Sequence, residues 1–237
     1  MRRGGRQGRV APEAVSLSAA RLTDAALAET SVTVSLSEAP PRILLIACGA
    51  LAREILAVIE INGLTGIALE CLPATLHNRP ERIPEAVREK VRAARARGVA
   101  SIHVVYADCG TGGLLDRVCE EEGVARIAGP HCYAFFDGLD AFAARGEEEI
   151  GAFYLTDFLA RQFDALIWKG MGLDRHPDLR DTYFAHYDRV VHLAQTDDPA
   201  LDERARAAAA RLGLRYVRRA TGYGALTGFV TAAATRS

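Results

Sequence analysis

Apolar residues in this chain come in short bursts, separated by longer segments whose apolar positions recur every three or four residues. "RILLIACG" (42–49) is a continuous apolar run that closes on small residues. "ALAREILAVIEING" follows with helical spacing and a glycine stop. The grammar then repeats. "GIALECLPATLH" reads as a strand and a loop, and "PERIPEAVREKVRAARARG" as a helix with proline near its start and glycine at its end. "ASIHVVYADC" is a strand and "GGLLDRVCEEEG" a helix; "VARIAGPHC" is a short strand and "YAFFDGLDAFAARG" a helix. Strands that are apolar throughout suit burial on both faces, and their alternation with helices suits parallel pairing. The predicted fold class is α/β, a doubly wound, mostly parallel sheet with helices on both faces.

The pattern is less regular after residue 150. "IGAFYLTDFLARQFDALIWKGMG" reads as mostly helical, with Thr156 or Asp157 as its cap. "DLRDTYFAHY" is a second helix, "RVVHLAQT" a strand, "DPALDERARAAAARLG" a helix and "LRYVRRAT" a last strand. Residues 41–150 are expected to form one α/β lobe, and 151–237 a second half of the sheet or a similar lobe. Residues 1–40, rich in Arg, Ala, Ser and Gly, are expected to be a disordered tail with one weak helix near 12–27. "TGYGALTGFV" reads either as an anion-binding or capping loop or as a C-terminal turn and tail.

Bulk composition removes some function classes. The net charge of −1 over 237 residues asks for neither nucleic acid nor an anionic membrane. No apolar run approaches the roughly 18 residues of a membrane span. Five cysteines, an odd number without dense spacing, argue against a disulfide scaffold and for reduced thiols in the cytoplasm.

The placement of those thiols carries the most chemistry. Cys48, Cys109 and Cys132 each close a predicted strand, and His77 lies a few residues beyond another. Carboxyl ends of parallel strands share one edge, with neighbours about 4.8 Å apart. That edge is where open α/β sheets bind ligands. Three thiols and an imidazole suit zinc, or iron as a mononuclear or iron–sulfur site. Cys71 falls inside a strand and Cys119 on an apolar helical position, so both are expected in the core.

Other readings of the same edge stay open. "CGTGG" could cradle a phosphate on Gly110, Thr111, Gly112 and Gly113, although it lacks the P-loop lysine and the dinucleotide phasing. The same glycines could simply permit a tight turn. Cys109 could be a nucleophile with His77, His103 or His131 as base, against which the neighbouring Asp108 disfavours a thiolate. A pocket lined by Tyr106, Tyr133 and Phe136 would favour a non-catalytic protein binding a folate, a corrinoid or a phosphorylated metabolite. His186 and His192, as single helix and strand residues, read as structural.

Taken together, "LLIACGALAREI", "LPATLHNRPERIPEAV", "VVYADCGTGGL" and "GPHCYAFFDGLDAF" resemble successive motifs of the DUF1638 family, and "FYLTDFL" and "YDRVVHLAQT" extend the likeness over about 42–230. The family pattern has a Cys after the first strand, an L-H-x-x-P element, a Y/F-G-x-C-G element and a D-C element. These match Cys48, His77, Cys109 and Cys132. Ala107 stands at the family's usual Gly position, and His131 replaces the usual Asp. Members often accompany corrinoid-dependent methyltransferases. The resemblance therefore implies one-carbon or methylamine metabolism as context, with a corrinoid system as partner; if the Cys/His site is catalytic, a zinc-activated thiolate for methyl transfer is the concrete version.

Overall fold

The computed structural model describes residues 15–17, 21–36 and 41–235. The first sheet has six strands, ordered β1 (Val15–Leu17), β2 (Val32–Ser35), β4 (Ile67–Leu72), β3 (Ile43–Cys48), β5 (Ser101–Val105) and β6 (Ala125–Arg126). β4, β3, β5 and β6 run parallel; β2 joins β4 antiparallel and carries β1 parallel to itself. Every position of β4 and all but the last of β3 are buried, as expected for strands covered on both faces.

α2 (Ala52–Ile61) leads from β3 out to β4, and α3 (Ile83–Ala96) returns across β3 to β5. The chain thus reverses direction at β3, and right-handed crossovers place the two helices on opposite faces. α3 buries Ile83, Val87, Val91 and Ala94, one helical stripe, and packs beside α4 (Leu114–Glu121).

The second sheet is parallel throughout, ordered β7 (Ala152–Thr156), β8 (Arg189–Ala194), β9 (Arg215–Ala220). α7 (Asp157–Arg161) and α9 (Pro199–Leu212) pack together against one face. Tyr133, from α5 (Cys132–Asp137) of the first lobe, packs on the other. α6 (Leu139–Ala144) and α8 (Leu179–Tyr183) are short connecting helices, and α10 (Gly224–Thr235) ends the chain.

Four expectations change. The expected tail is partly core: α1 (Asp24–Glu29) and β2 bury Leu22, Leu27, Ala28, Val32 and Val34 in the first hydrophobic cluster. The expectation for residues 1–14, 18–20 and 37–40 lies outside the described residues. The span read as helix from 150 begins with β7, since "AFYLT" pairs with β8 over its whole length. "YAFFDGLDAFAARG" is two helices broken at Gly138, which has φ +86°. Finally, "TGYGALTGFV" enters helix α10, which returns to the first lobe and buries Leu226, Val230 and Ala233 against α2 and α5. Gly224 has φ +49°, and a Cβ there would strike the backbone carbonyl of Phe135.

Candidate functional site

Cys48 ends β3, the strand at which the winding reverses. Gly49 follows because no larger residue fits: a Cβ there would meet the carbonyl oxygen of Leu27. In register, Ala47 pairs with Val105, so Cys48 and Tyr106 emerge together at the carboxyl edge. His77 lies in a 3-10 turn, Ala74–Asn78, after β4. Cys109 lies four residues beyond the end of β5. Its φ of +49° makes it the one non-glycine residue in the left-handed region among those described. Cys132 is not on a strand; it opens α5, with His131 as N-cap.

The loops holding Cys109 and Cys132 are tied together. Asp108 N–H donates to Gly129 O and Cys109 N–H to Pro130 O, each at 2.9 Å. All three thiols are free and, with His77, line one cavity of about 170 Å³. Tyr106, Ala107 and Tyr133 line it as well, with Ala50, Leu51, Ala74 and Asn78. The second lobe supplies Phe153, Thr156, Leu159, Leu166 and Ile167. Leu166 and Ile167 belong to a single π-helical turn, Phe163–Trp168, a form that recurs at functional sites. Phe136 is buried but does not line the cavity, and Cys71 and Cys119 sit in the core. Sequence reasoning missed the whole second-lobe wall, because nothing in its local pattern says what its apolar side chains will face.

Burial pushes the Cys109 thiol up to about 12, with Cys48 adding repulsion between the ionised forms. Burial likewise raises Cys48 and Cys132, and Cys109 and Cys48 raise Cys132 further. The three sulfurs are therefore electrostatic neighbours. His77 is lowered, by surrounding protein and then by His131, although its side chain is exposed at the cavity mouth. Among the described residues, no three His, Cys, Asp or Glu side chains stand where they could hold a metal ion. Coordination would require these side chains to move.

The glycine turn faces elsewhere. Asp108 accepts from Thr111 Oγ1 at 2.6 Å, Gly113 N–H at 2.8 Å and Gly112 N–H at 3.1 Å. Burial opposes ionisation of Asp108, but these bonds outweigh it and hold its carboxyl below the usual range. Gly110, Thr111, Gly112 and Gly113 line no part of the cavity. A carboxylate already occupies the place a phosphate would take.

A family model described as "Protein of unknown function (DUF1638)" matches residues 71–230. The chain belongs to the DUF1638 family. The match takes in His77, Cys109 and Cys132 and begins after Cys48. No curated protein and no solved structure gives a significant match.

Of two polar groups near this family's thiols, the sequence singles out Tyr106 only as pocket lining and Glu54 not at all. The Tyr106 hydroxyl is buried beside Cys48, yet forms no hydrogen bond of acceptable geometry. Glu54, on α2, is buried and pushed up to about 7 by burial; Arg161 opposes the rise, and Asp157 and Asp24 add to it. In the second lobe, His192 Nε2 lies 3.0 Å from Asp157 Oδ1, and Nδ1 lies 3.0 Å from the Tyr216 hydroxyl. Asp157 also accepts from Thr196 N–H at 3.0 Å and Thr196 Oγ1 at 2.6 Å. These bonds join α7 to β8 and β9.

Proposed function

We propose that this protein binds a thiophilic transition metal, zinc or iron, in the cavity between its two lobes. Cys48, Cys109 and Cys132 would be the thiolate donors, and His77 at the mouth the fourth. One observation carries the reading: three free thiols, one ending β3, one in the loop after β5 and one opening α5, line a single small cavity at the sheet's carboxyl edge. Buried thiols with raised pKa values are poor nucleophiles. A divalent cation would instead supply the positive charge that lets all three ionise. The same burial counts against Cys109 as an unassisted nucleophile.

Size narrows the organic alternatives. Drug-sized ligands occupy pockets of about 300–1,000 Å³, and this cavity is about 170 Å³. A folate or a corrinoid would not fit inside it. The corrinoid-linked, methyl-transfer setting implied by the family resemblance would need the corrinoid to be presented by a partner protein. The thiolate-bound metal would then hold and activate a small thiol acceptor.

Metal analysis of anaerobically purified protein tests this. The expected result is about one equivalent of zinc or iron, with substitution of any of the three cysteines by serine reducing it several-fold. Less than about 0.2 equivalents with every thiol free to react would overturn it.

A further inference from the structure

We infer that the cavity also receives a small, neutral, mainly apolar molecule carrying one hydrogen-bond acceptor, which the Tyr106 hydroxyl recognises. This deepens the reading above and rests on the same cavity being the site, but it does not require the metal to be bound.

The first observation is the hydroxyl itself. Tyr106 is only 2% exposed, lines the cavity, and its oxygen has no hydrogen bond of good geometry, only the weakly accepting Cys48 thiol beside it. A buried hydroxyl left without a good partner keeps its desolvation cost uncompensated, so such groups are normally satisfied. Its neighbours are thiols, which are weak acceptors. An acceptor atom entering the cavity would remove that penalty.

The second observation is the rest of the wall. No Lys, Arg, Asp or Glu side chain lines the cavity among the described residues. A carboxylate or phosphate would enter with no Lys or Arg to meet it, its desolvation uncompensated. Tyr133, Phe153, Leu159, Leu166 and Ile167 offer apolar surface instead. The third is volume: an apolar cavity of about 150 Å³ takes a molecule the size of benzene. A cavity of about 170 Å³ therefore suits roughly six non-hydrogen atoms. Small ketones, aldehydes and thioesters of that size meet all three conditions.

Cyclopentanone and methylcyclopentane are matched probes, with equal heavy-atom counts and one acceptor between them. Binding is followed by ligand-observed NMR on chelator-treated and on as-purified protein. Cyclopentanone is expected to bind the unaltered protein and to lose about fivefold in affinity in Tyr106→Phe, which keeps the ring, the worth of one net hydrogen bond. Methylcyclopentane, whose affinity rests on its larger apolar transfer from water, should bind both proteins equally. Leu166→Trp should abolish binding of both by filling the space. A cyclopentanone affinity unchanged in Tyr106→Phe would overturn the inference, as would an absence of cyclopentanone binding to the unaltered protein. Failure of the metal reading appears separately, as an empty metal analysis with the effect of Tyr106→Phe on cyclopentanone intact.

Discussion

Cys109 donates its backbone N–H to the carbonyl of Pro130 at 2.9 Å, two residues before Cys132. This bond fixes two thiol-bearing loops to each other before any ligand arrives. Cys109 also holds a left-handed backbone, which costs a non-glycine residue about 1–2 kcal/mol. Strain held at a cavity wall is the kind of feature that marks a site.

Cys109→Gly removes the thiol and relieves the strain together. Relief is offset by the greater freedom of glycine in the unfolded chain. Stability in denaturant titration should stay within about 1 kcal/mol of the parent protein, whereas metal content should fall. Cys109→Val, β-branched at a positive φ, should lose more than Cys109→Gly. A Cys109→Gly protein that barely folds would show that the thiol is packing and not a ligand.

Raised thiol pKa values make a statement about alkaline pH. A thiol held higher in the folded state than its free value of about 8.5 keeps its proton longer when folded. Its stabilising contribution is complete below that value and is lost as pH rises towards the folded value, about 12 for Cys109. Metal-free protein should therefore become steadily less stable above about pH 8.5. Iodoacetamide at pH 7.5 should label Cys109 slowly; fast, selective labelling there would restore the nucleophile reading.

Glu54 gives the opposite of ordinary carboxylate behaviour. Its folded value, about 7, lies above the unfolded one, so folding favours the protonated acid. Its contribution is present below about pH 4.5 and is lost as pH rises to 7. Glu54→Gln should be close to neutral at pH 4 and stabilise at pH 8 by up to about 3 kcal/mol. A substitution that destabilises equally at both pH values would mean that the ion pair with Arg161 dominates, the two being 3.9 Å apart.

Asp157 behaves conventionally. Burial works against its charge, but hydrogen bonds from His192 and Thr196 win and hold it below the usual carboxylate range. Its contribution is present above about pH 4 and disappears as pH falls through the lower folded value. Asp157→Ala should cost about 3 kcal/mol, because it leaves His192 buried without its acceptor. Thermal melts between pH 3 and 7 should show that the acid-sensitive part of the stability is smaller in this variant.

Local pattern was enough for most of the elements and for the shared edge. The apolar runs of β3, β4 and β5 and the stripe of α3 each state their own burial. The parallel pairing that follows places the residues after those strands on one side. The sequence alone therefore determined that Cys48, His77 and Cys109 lie on a common edge, and that Cys71 and Cys119 do not. Tertiary structure decided the rest. β2 and α10 are short or glycine-bearing segments whose burial depends on surfaces far away in the chain, so their own residues do not announce it. The direction of the Gly112 and Gly113 donors depended on where the Asp108 side chain could turn. The cavity itself exists because Leu159, Leu166 and Ile167 of the second lobe close over thiols of the first. Local periodicity shows which face of a segment is apolar; only packing decides what that face covers.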